Sequence, residues 1–345
     1  MRKILLEAAK LATYLRYTDD EYSIRLISND VNRFVKTCCG YYDLPEASDL
    51  FSTFVERYHL LEITPKFREH LIHQFQVFLL GCYVMFTLSK GLYHNFQNLF
   101  KKSLKNNGYN YGEPADFFYS WFLASLFHDV GGVVERSNKW IGCALAPIFL
   151  RKKEEGFPVA INWSDFFQTL WIPKSFETLC RYISKMISYK EQDLNMNLRS
   201  LLYHTPDHGL ISSLALLNHL WEPMKEKENV LVPAAAAIAL HSERVQNILL
   251  GPGGIKYFNF KKDPLSFLLI YCDTAQQWGR PETNSQKGEE PPKFKSLEIK
   301  HNKIICEIEY KKEYDSYYRD PLNRWIDFEG FFSFEIARHN QSREK

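Results

Sequence analysis

Apolar residues recur at spacings of three and four along most of the chain, which is the period of one face of an α-helix. Over residues 1–60 the pattern is amphipathic and includes Leu5, Ala8, Leu11 and Leu15. This spacing predicts an N-terminal helical region that turns one face toward a core.

More apolar segments follow, and glycine or proline, which commonly end helices, closes each of them. Pro65 stands at the favoured first-turn position of a long helix that extends to Leu92. A polar loop covers residues 106–114, and residues 164–203 predict two helices separated by WIPKS (171–175). Further helices are predicted over residues 115–132, 207–223, 233–251 and 263–281.

The pattern changes after residues 280–295, which form a linker by their content of proline, glycine and charged residues. Residues 296–310 alternate apolar and polar side chains around the turn-prone pair His301 and Asn302, which predicts a β-hairpin. Residues 331–340 predict one more strand.

These elements predict an all-α helical bundle with a small β-containing C-terminal tail. We divide the chain into an N-terminal helical region (1–60), a central helical domain (61–285) and a linker with a hairpin tail (286–345). With 345 residues, 45% of them hydrophobic and 15% aromatic, the chain can fill a sizeable core.

Charge and hydropathy exclude two broad classes of protein. The net charge of +2 argues against nucleic acid as a partner, because nucleic-acid binding leaves a strongly basic footprint. The most apolar stretch, residues 75–92, is interrupted by Gln76, Gly81, Ser89 and Lys90. It falls short of the roughly 20 apolar residues that span a bilayer, so we expect a buried core helix and no membrane partner.

The seven cysteines show no CxxC pair, and several of them lie in apolar stretches. This usage favours reduced, buried thiols rather than a disulfide framework. The first residues lack the apolar region and cleavage site of a signal peptide. We therefore expect a cytoplasmic protein, and the sequence leaves open whether it forms a homo-oligomer.

Histidine and aspartate residues interrupt the apolar helices in a way that points to a metal centre. One buried histidine is more often a core residue than a ligand, but a set of six is harder to accommodate without metal, because burying ionisable groups is costly. Imidazole nitrogen and carboxylate oxygen suit divalent Fe, Mn, Co, Ni or Zn. The set consists of His73, His128, Asp129, His208, His241 and Asp273.

Four histidines and two aspartates supply enough donors for two divalent metal ions about 3.5–4 Å apart. One carboxylate must then bridge the two ions. We assign this catalytic position to Asp129, because the adjacent His128 can bind one ion while Asp129 reaches both.

The ordered pattern H…HD…H…H…D resembles the HD-domain superfamily of metal-dependent phosphohydrolases in its six-ligand, two-metal form. The resemblance covers roughly residues 60–285 and rests on REHLIHQFQVF, LFHDVGG, DHGLISS, IALHSE and IYCDTAQQWGRP. It implies an all-α HD-domain bundle around the metal ions. It also implies a metal-activated water that hydrolyses a phosphate ester, in a nucleotide or another small phosphorylated molecule.

Two departures from the family pattern bear on the reaction. Many members carry lysine or histidine where this chain has Gly132, and the cyclic-dinucleotide branch carries a GYP motif that is absent after His241-Ser242-Glu243. The mixed-valent di-iron oxygenases related to inositol oxygenase share the ligand order but usually have lysine at Gly132. The alternatives to a hydrolase are therefore such an oxygenase, or a regulatory module that senses a nucleotide at its metal site.

Several other residues have two interpretations each. Arg280 follows Asp273 by two helical turns and can act as a catalytic phosphate clamp, or as a solvated charge at a helix end. Arg136 and Lys139 are weaker candidates of the same kind. His70 is the alternative to His73, and Asp207 either orients a ligand histidine or caps a helix.

Overall fold

The chain is described here by a computed structural model. Its described residues are 4–5, 21–61, 70–86, 91–110, 112–113, 116–132, 134, 173–204, 207–250, 258–259, 261–275, 293–300, 303–309, 326–327 and 333–338.

Within the described residues, the bundle contains the α-helices α1 to α11. Their bounds are α1 (Glu21–Tyr41), α2 (Pro45–Leu61), α3 (His70–Phe86), α4 (Leu92–Asn106), α5 (Asp116–Phe127), α6 (Pro173–Ile187), α7 (Glu191–His204), α8 (His208–Leu220), α9 (Glu228–His241), α10 (Glu243–Leu249) and α11 (Pro264–Ala275).

Helix α9 lies at the centre of the bundle and packs against α5, α6, α8 and α11. Its sequence is apolar on all sides, and every residue from Val230 to His241 is buried. A helix without a polar face is stable only when protein surrounds it. The sequence of α9 therefore accounts for its position among other helices. His241, the last residue of α9, is thereby held in the interior.

Helices α3 and α5 pack closely because a glycine faces a tryptophan. A Cβ atom at Gly81 would lie 2.8 Å from a ring carbon of Trp121, so glycine at this position admits the indole. The Trp121 N–H donates to the Phe78 carbonyl at 3.3 Å. None of the helices in the described part is both long and apolar enough to cross a membrane.

The N-terminal helices contribute aromatic side chains to the same core. The ring centroid of Phe34 on α1 lies 5.0 Å from that of Phe75 on α3. Phe51 on α2 lies 5.6 Å from Phe127 on α5. The predicted helical character of this region is therefore confirmed for α1 and α2, while the boundary at residue 60 stays a prediction.

The helix predicted after WIPKS is divided in two at Ser188, which adopts a positive φ of 59°. The Tyr189 N–H donates to the Ser184 carbonyl at 2.9 Å, and the Ser184 hydroxyl donates to the Tyr189 carbonyl at 2.7 Å. These bonds close the end of α6. Serine is rare in the left-handed region, so the apolar periodicity gave no sign of this break.

The helix that the sequence predicts over 233–251 begins and ends at other residues in the structure. It begins at Glu228, so Pro233 lies within α9, and it ends at His241. Ser242 adopts an extended conformation and caps α10 by accepting a hydrogen bond from the Arg244 N–H at 3.2 Å. Periodicity alone cannot reveal a one-residue break between two buried helices.

The tail forms the predicted hairpin. Strands β2 (Lys293–Lys300) and β3 (Lys303–Glu309) pair antiparallel, and Lys300 opposes Lys303 in their register. The predicted further strand is β5 (Ser333–Arg338), which pairs parallel with β3. A second small sheet joins β1 (Phe258–Asn259) and β4 (Ile326–Asp327), which the sequence did not predict. The all-α bundle with a small β-containing tail is confirmed.

Candidate metal centre

The structure brings the six predicted ligand residues together from five separate helical segments. His73 lies in the first described turn of α3, and His128 and Asp129 follow the last residue of α5. His208 is the first residue of α8. His241 ends α9, and Asp273 lies in the last turn of α11.

His73, His128 and Asp273 form the first ligand group. The His73 Nε2 atom lies 2.8 Å from Asp273 Oδ1 and 3.3 Å from His128 Nε2. His128 Nε2 lies 3.7 Å from the same carboxylate oxygen. Three donor atoms therefore surround one point, and they are close enough together to hold a single metal ion.

His208 and His241 form the second ligand group, with their Nε2 atoms 3.2 Å apart. The ring of His241 also meets that of His128 edge to face, with centroids 5.1 Å apart. The two groups are thus neighbours within one centre, and His128, Asp129 and His241 by themselves form another set that could hold an ion.

Asp129 lies between the two ligand groups and presents one carboxylate oxygen to each. Its Oδ2 atom lies 3.8 Å from His128 Nε2 and 4.0 Å from His73 Nε2. Its Oδ1 atom lies 3.8 Å from His208 Nε2. This is the arrangement that a bridging carboxylate requires, because each oxygen can serve a different ion.

Backbone hydrogen bonds fix the orientation of two of the imidazole rings. The His128 Nδ1–H donates to the Ser125 carbonyl at 2.8 Å, and the His241 Nδ1–H donates to the Ile238 carbonyl. Because a neutral imidazole carries one proton, these bonds leave the Nε2 lone pairs directed into the centre. This tautomer is the one that binds a metal ion through Nε2.

The donor atoms are of the types that bind a divalent cation, and the residues that carry them are buried. His128 is fully buried, and His73 and Asp129 are only 2% and 8% exposed. Several nitrogen lone pairs and carboxylate oxygens converge in a space with little access to water, which is unfavourable unless a proton or a cation joins them. A metal ion satisfies all of these donors together.

The pKa shifts describe an ionised carboxylate, Asp273, and a neutral histidine, His241, within one centre. Burial and the neighbouring His208 and His128 lower the pKa of His241 to about 4. Burial opposes charge on His128, but Asp129 and Asp273 outweigh it and raise the pKa of His128. Burial likewise opposes charge on Asp273, yet the neighbouring imidazoles of His128 and His73 hold the pKa of Asp273 well below its usual value. His241 is therefore already neutral, as a ligand must be.

The glycine after the HD pair permits a close approach between two segments of the site. A Cβ atom at Gly131 would lie 2.8 Å from the Cβ atom of Ile211 and would also strike the His208 carbonyl oxygen. The Gly131 N–H donates to Ser212 Oγ at 2.7 Å. The chain after α5 is therefore held against the first turn of α8, which carries His208.

Asp207 caps helix α8, and this confirms the capping interpretation of that residue. Its Oδ1 atom accepts a hydrogen bond from the Leu210 N–H at 2.9 Å. Its Oδ2 atom accepts a hydrogen bond from the Ser242 hydroxyl. Sequence reasoning did not single out Ser242, although the resemblance motif HSE included it and serine is a favoured N-cap residue.

Access to the centre differs from ligand to ligand. The side chains of His208 and Asp273 are 30% and 22% exposed, whereas those of His73 and His128 are 2% and 0% exposed. The centre is therefore open on the side of His208 and Asp273 and closed on the side of α3 and α5.

The remaining candidates fall outside the described part of the chain. Arg280, Arg136 and Lys139 are not among the described residues, and the same holds for the side chain of His70. Their predicted roles stay predictions.

Comparisons of the chain with protein-family models, with curated proteins and with solved structures found no match. The class of the protein therefore rests on its fold and site: a helical bundle whose buried His/Asp cluster could hold a metal ion.

Proposed function

We propose that the protein is a metal-dependent phosphohydrolase of the HD type that hydrolyses a phosphate ester in a small phosphorylated molecule, such as a nucleotide. The observation that carries this proposal is the position of Asp129, with one oxygen toward each ligand group. A carboxylate between two sets of histidines is suited to a two-metal centre, and two-metal centres are widely used for phosphoryl chemistry.

The first ion would be held by His73, His128 and Asp273, the second by His208 and His241, and Asp129 would contact both. Nitrogen and oxygen donors suit divalent Fe, Mn, Co, Ni or Zn, and the donor set does not select among them. When bound, such ions lower the pKa of a coordinated water and stabilise negative charge on a phosphoryl group.

The charges of the centre favour an anionic substrate. The six candidate ligands include two carboxylates, Asp129 and Asp273, and His241 is neutral because burial lowers its pKa to about 4. Two divalent cations therefore exceed the negative charge of the protein ligands, and a phosphate ester balances the excess. Arg280, as a phosphate clamp, would add to this attraction.

The protein residues also determine how a substrate reaches the centre. The exposed edges of His208 and Asp273 leave one open side for a phosphoryl group. The buried rings of His73 and His128 exclude bulk water from the other side, which strengthens electrostatic interactions within the centre.

We place this activity in the cytoplasm. The described cysteines, Cys38, Cys39, Cys82, Cys180 and Cys272, are all buried thiols, which suits a reducing compartment. Nucleic acid and membrane are not among the proposed partners, since the net charge of +2 provides no strong basic footprint.

A di-iron oxygenase would use the same six ligands, so the ligands do not distinguish it from a hydrolase. The residue at position 132 does, because such oxygenases usually carry lysine where this chain has Gly132. Among the described residues, a Cβ atom at Gly132 would meet nothing within 4 Å, so crowding at the Cβ position does not explain why this chain lacks the lysine of such oxygenases. The intact ligand set argues against the third alternative, a degenerate regulatory module. We therefore favour hydrolysis.

The test is phosphate release from a panel of nucleotides and small phosphate esters, measured with Mn²⁺ or Co²⁺ in the absence of oxygen. Hydrolysis requires only a divalent Lewis acid, so we expect turnover without O₂. Turnover that stops when oxygen is removed and returns only with iron and oxygen would overturn the hydrolase and support the oxygenase.

A further inference from the structure

We propose that the hydrogen bond between Asp207 and Ser242 is a positioning device that sets the separation of His208 and His241, and thereby the affinity of the second metal ion. The inference rests on the proposed two-metal function, because it concerns the second ligand group of that centre. Neither Asp207 nor Ser242 is one of the six ligands.

Each partner of this hydrogen bond is covalently next to one ligand. Asp207 precedes His208 at the start of α8, and Ser242 follows His241 at the end of α9. Both are buried, at 1% and 2% exposure, so the bond between them is shielded from competing water.

Asp207 divides its two oxygens between two tasks. Oδ1 accepts the hydrogen bond of the Leu210 N–H and so caps α8, while Oδ2 accepts the hydrogen bond of the Ser242 hydroxyl. The Ser242 oxygen in turn accepts from the Arg244 N–H and caps α10. The N-termini of α8 and α10 are therefore fastened to each other next to the two histidines.

Close backbone packing transmits this fastening to the histidines. A Cβ atom at Gly209 would lie 2.9 Å from the Ser242 Cβ, 2.9 Å from the Ile238 carbonyl oxygen and 3.1 Å from His241 Cε1. The start of α8 thus rests on the end of α9 without an intervening side chain. The His208–His241 Nε2 separation of 3.2 Å depends on how these two helix ends meet.

The second ligand group depends on a positioning hydrogen bond more than the first ligand group does. His208 and His241 occupy a helix start and a helix end, where backbone structure frays most easily. The His208 side chain, at 30% exposure, is also more open to water than the Asp273 and Asp129 side chains, at 22% and 11%. His73 and His128, by contrast, are enclosed between α3 and α5.

Two variants remove the link at little cost to the helix caps. In Asp207→Ser, the single hydroxyl can still cap Leu210 but can no longer serve Ser242 as well. Ser242→Gly removes the hydroxyl that bonds Asp207 and, with it, the hydrogen bond from the Arg244 N–H, but glycine is itself a favoured N-cap residue, so α10 is little weakened. Asp263→Ser is the matched control, because buried Asp263 caps α11 by accepting from the Ser266 N–H at 3.1 Å. It lies at the opposite end of α11 from Asp273, about 15 Å away along the helix.

The measurement is a titration of the metal-free full-length protein with Co²⁺, followed by absorption spectroscopy, which counts the ions bound and gives the affinity of each. We expect Asp207→Ser and Ser242→Gly each to weaken the second ion about 10–100-fold and leave the first unchanged. The double variant should bind the second ion no more weakly than either single variant does, because each substitution removes the same hydrogen bond. The Asp263→Ser control should bind both ions as the wild type does.

Three results would overturn the proposal, and they are distinguishable. Wild-type affinity for both ions in the two variants, with normal thermal unfolding, would show that the bond does not position the ligands. Equal loss of affinity for both ions, or loss of cooperative unfolding, would show that the bond stabilises the fold as a whole and does not position the second ligand group. A wild-type chain that binds fewer than two ions would instead contradict the two-metal function on which the inference rests.

Discussion

Asp129 Oδ1 lies 3.8 Å from His208 Nε2, although these residues belong to segments that are distant in the sequence. The other oxygen of the same carboxylate faces the imidazoles of His128 and His73. One side chain therefore joins the two halves of the site. The account of function depends on this relationship more than on any individual ligand.

Replacing Asp129 with alanine should abolish hydrolysis and reduce the amount of bound metal. The substitution removes both oxygens that face the ligand groups, so neither ion keeps its full set of donors. The measurement is phosphate release together with elemental analysis of the purified variant. Full activity in the variant would show that Asp129 is not the bridge.

The two glycines after the HD pair should differ sharply in their tolerance to alanine. A Cβ atom at Gly131 would collide with Ile211 and with the His208 carbonyl, whereas one at Gly132 would meet nothing within 4 Å. We expect Gly131→Ala to lower the free energy of unfolding by about 1–3 kcal/mol and to weaken metal binding. Gly132→Ala is the matched control and should retain both properties. Chemical denaturation and metal titration measure them, and equal behaviour of the two variants would refute the close approach.

His241 should make the metal-free protein less stable as the pH falls. Burial and the neighbouring histidines lower its folded-state pKa from 6.5 to about 4. Between these two values the unfolded chain binds a proton that the folded chain does not, so this contribution to stability is complete above pH 6.5 and declines toward pH 4.

The test compares the wild type with His241→Asn by urea denaturation of chelator-treated protein across this pH range. We expect the difference in unfolding free energy between the two proteins to change by up to about 3 kcal/mol. The comparison with the variant subtracts the groups that titrate independently of His241, and leaves the effect of His241 and of its interactions with His208 and His128. A difference that does not depend on pH would contradict the lowered pKa of His241.

Gln74, the neighbour of His73, should be replaceable by methionine with a gain in stability. The Gln74 side chain is fully buried, and among the described residues neither its amide nitrogen nor its oxygen has a hydrogen-bond partner. Leaving a buried polar group unpaired costs about 1–3 kcal/mol, and methionine fills a similar volume without that cost. Thermal unfolding checks this, and a lower melting temperature for Gln74→Met would show that the amide is needed.

The sequence predicted the six candidate ligands because buried histidine and aspartate have few explanations in apolar helices. Their order along the chain selected the same residues that the structure brings together, including Asp129 between the two groups. The hairpin was also predictable, because alternation around His301 and Asn302 specifies both strands and their turn.

The breaks between helices were not predictable to the same degree. The divisions at Ser188 and Ser242 depend on tertiary hydrogen bonds and packing, and apolar periodicity continues across them. The link from Asp207 to Ser242 joins residues that no local pattern relates. The sequence therefore indicated the candidate ligands, and the structure was needed to find what holds His208 and His241 together.

The most direct test of the two-metal account is the electron paramagnetic resonance spectrum of the wild-type chain after equilibration with Mn²⁺, together with the number of ions bound. Two ions that share Asp129 should be magnetically coupled, so the account predicts two Mn²⁺ per chain and the spectrum of a coupled pair. In Asp129→Ala the coupling should disappear, and at most one ion should remain bound. A wild-type chain that binds a single uncoupled ion, or an Asp129→Ala variant that keeps a coupled pair, would contradict the central claim.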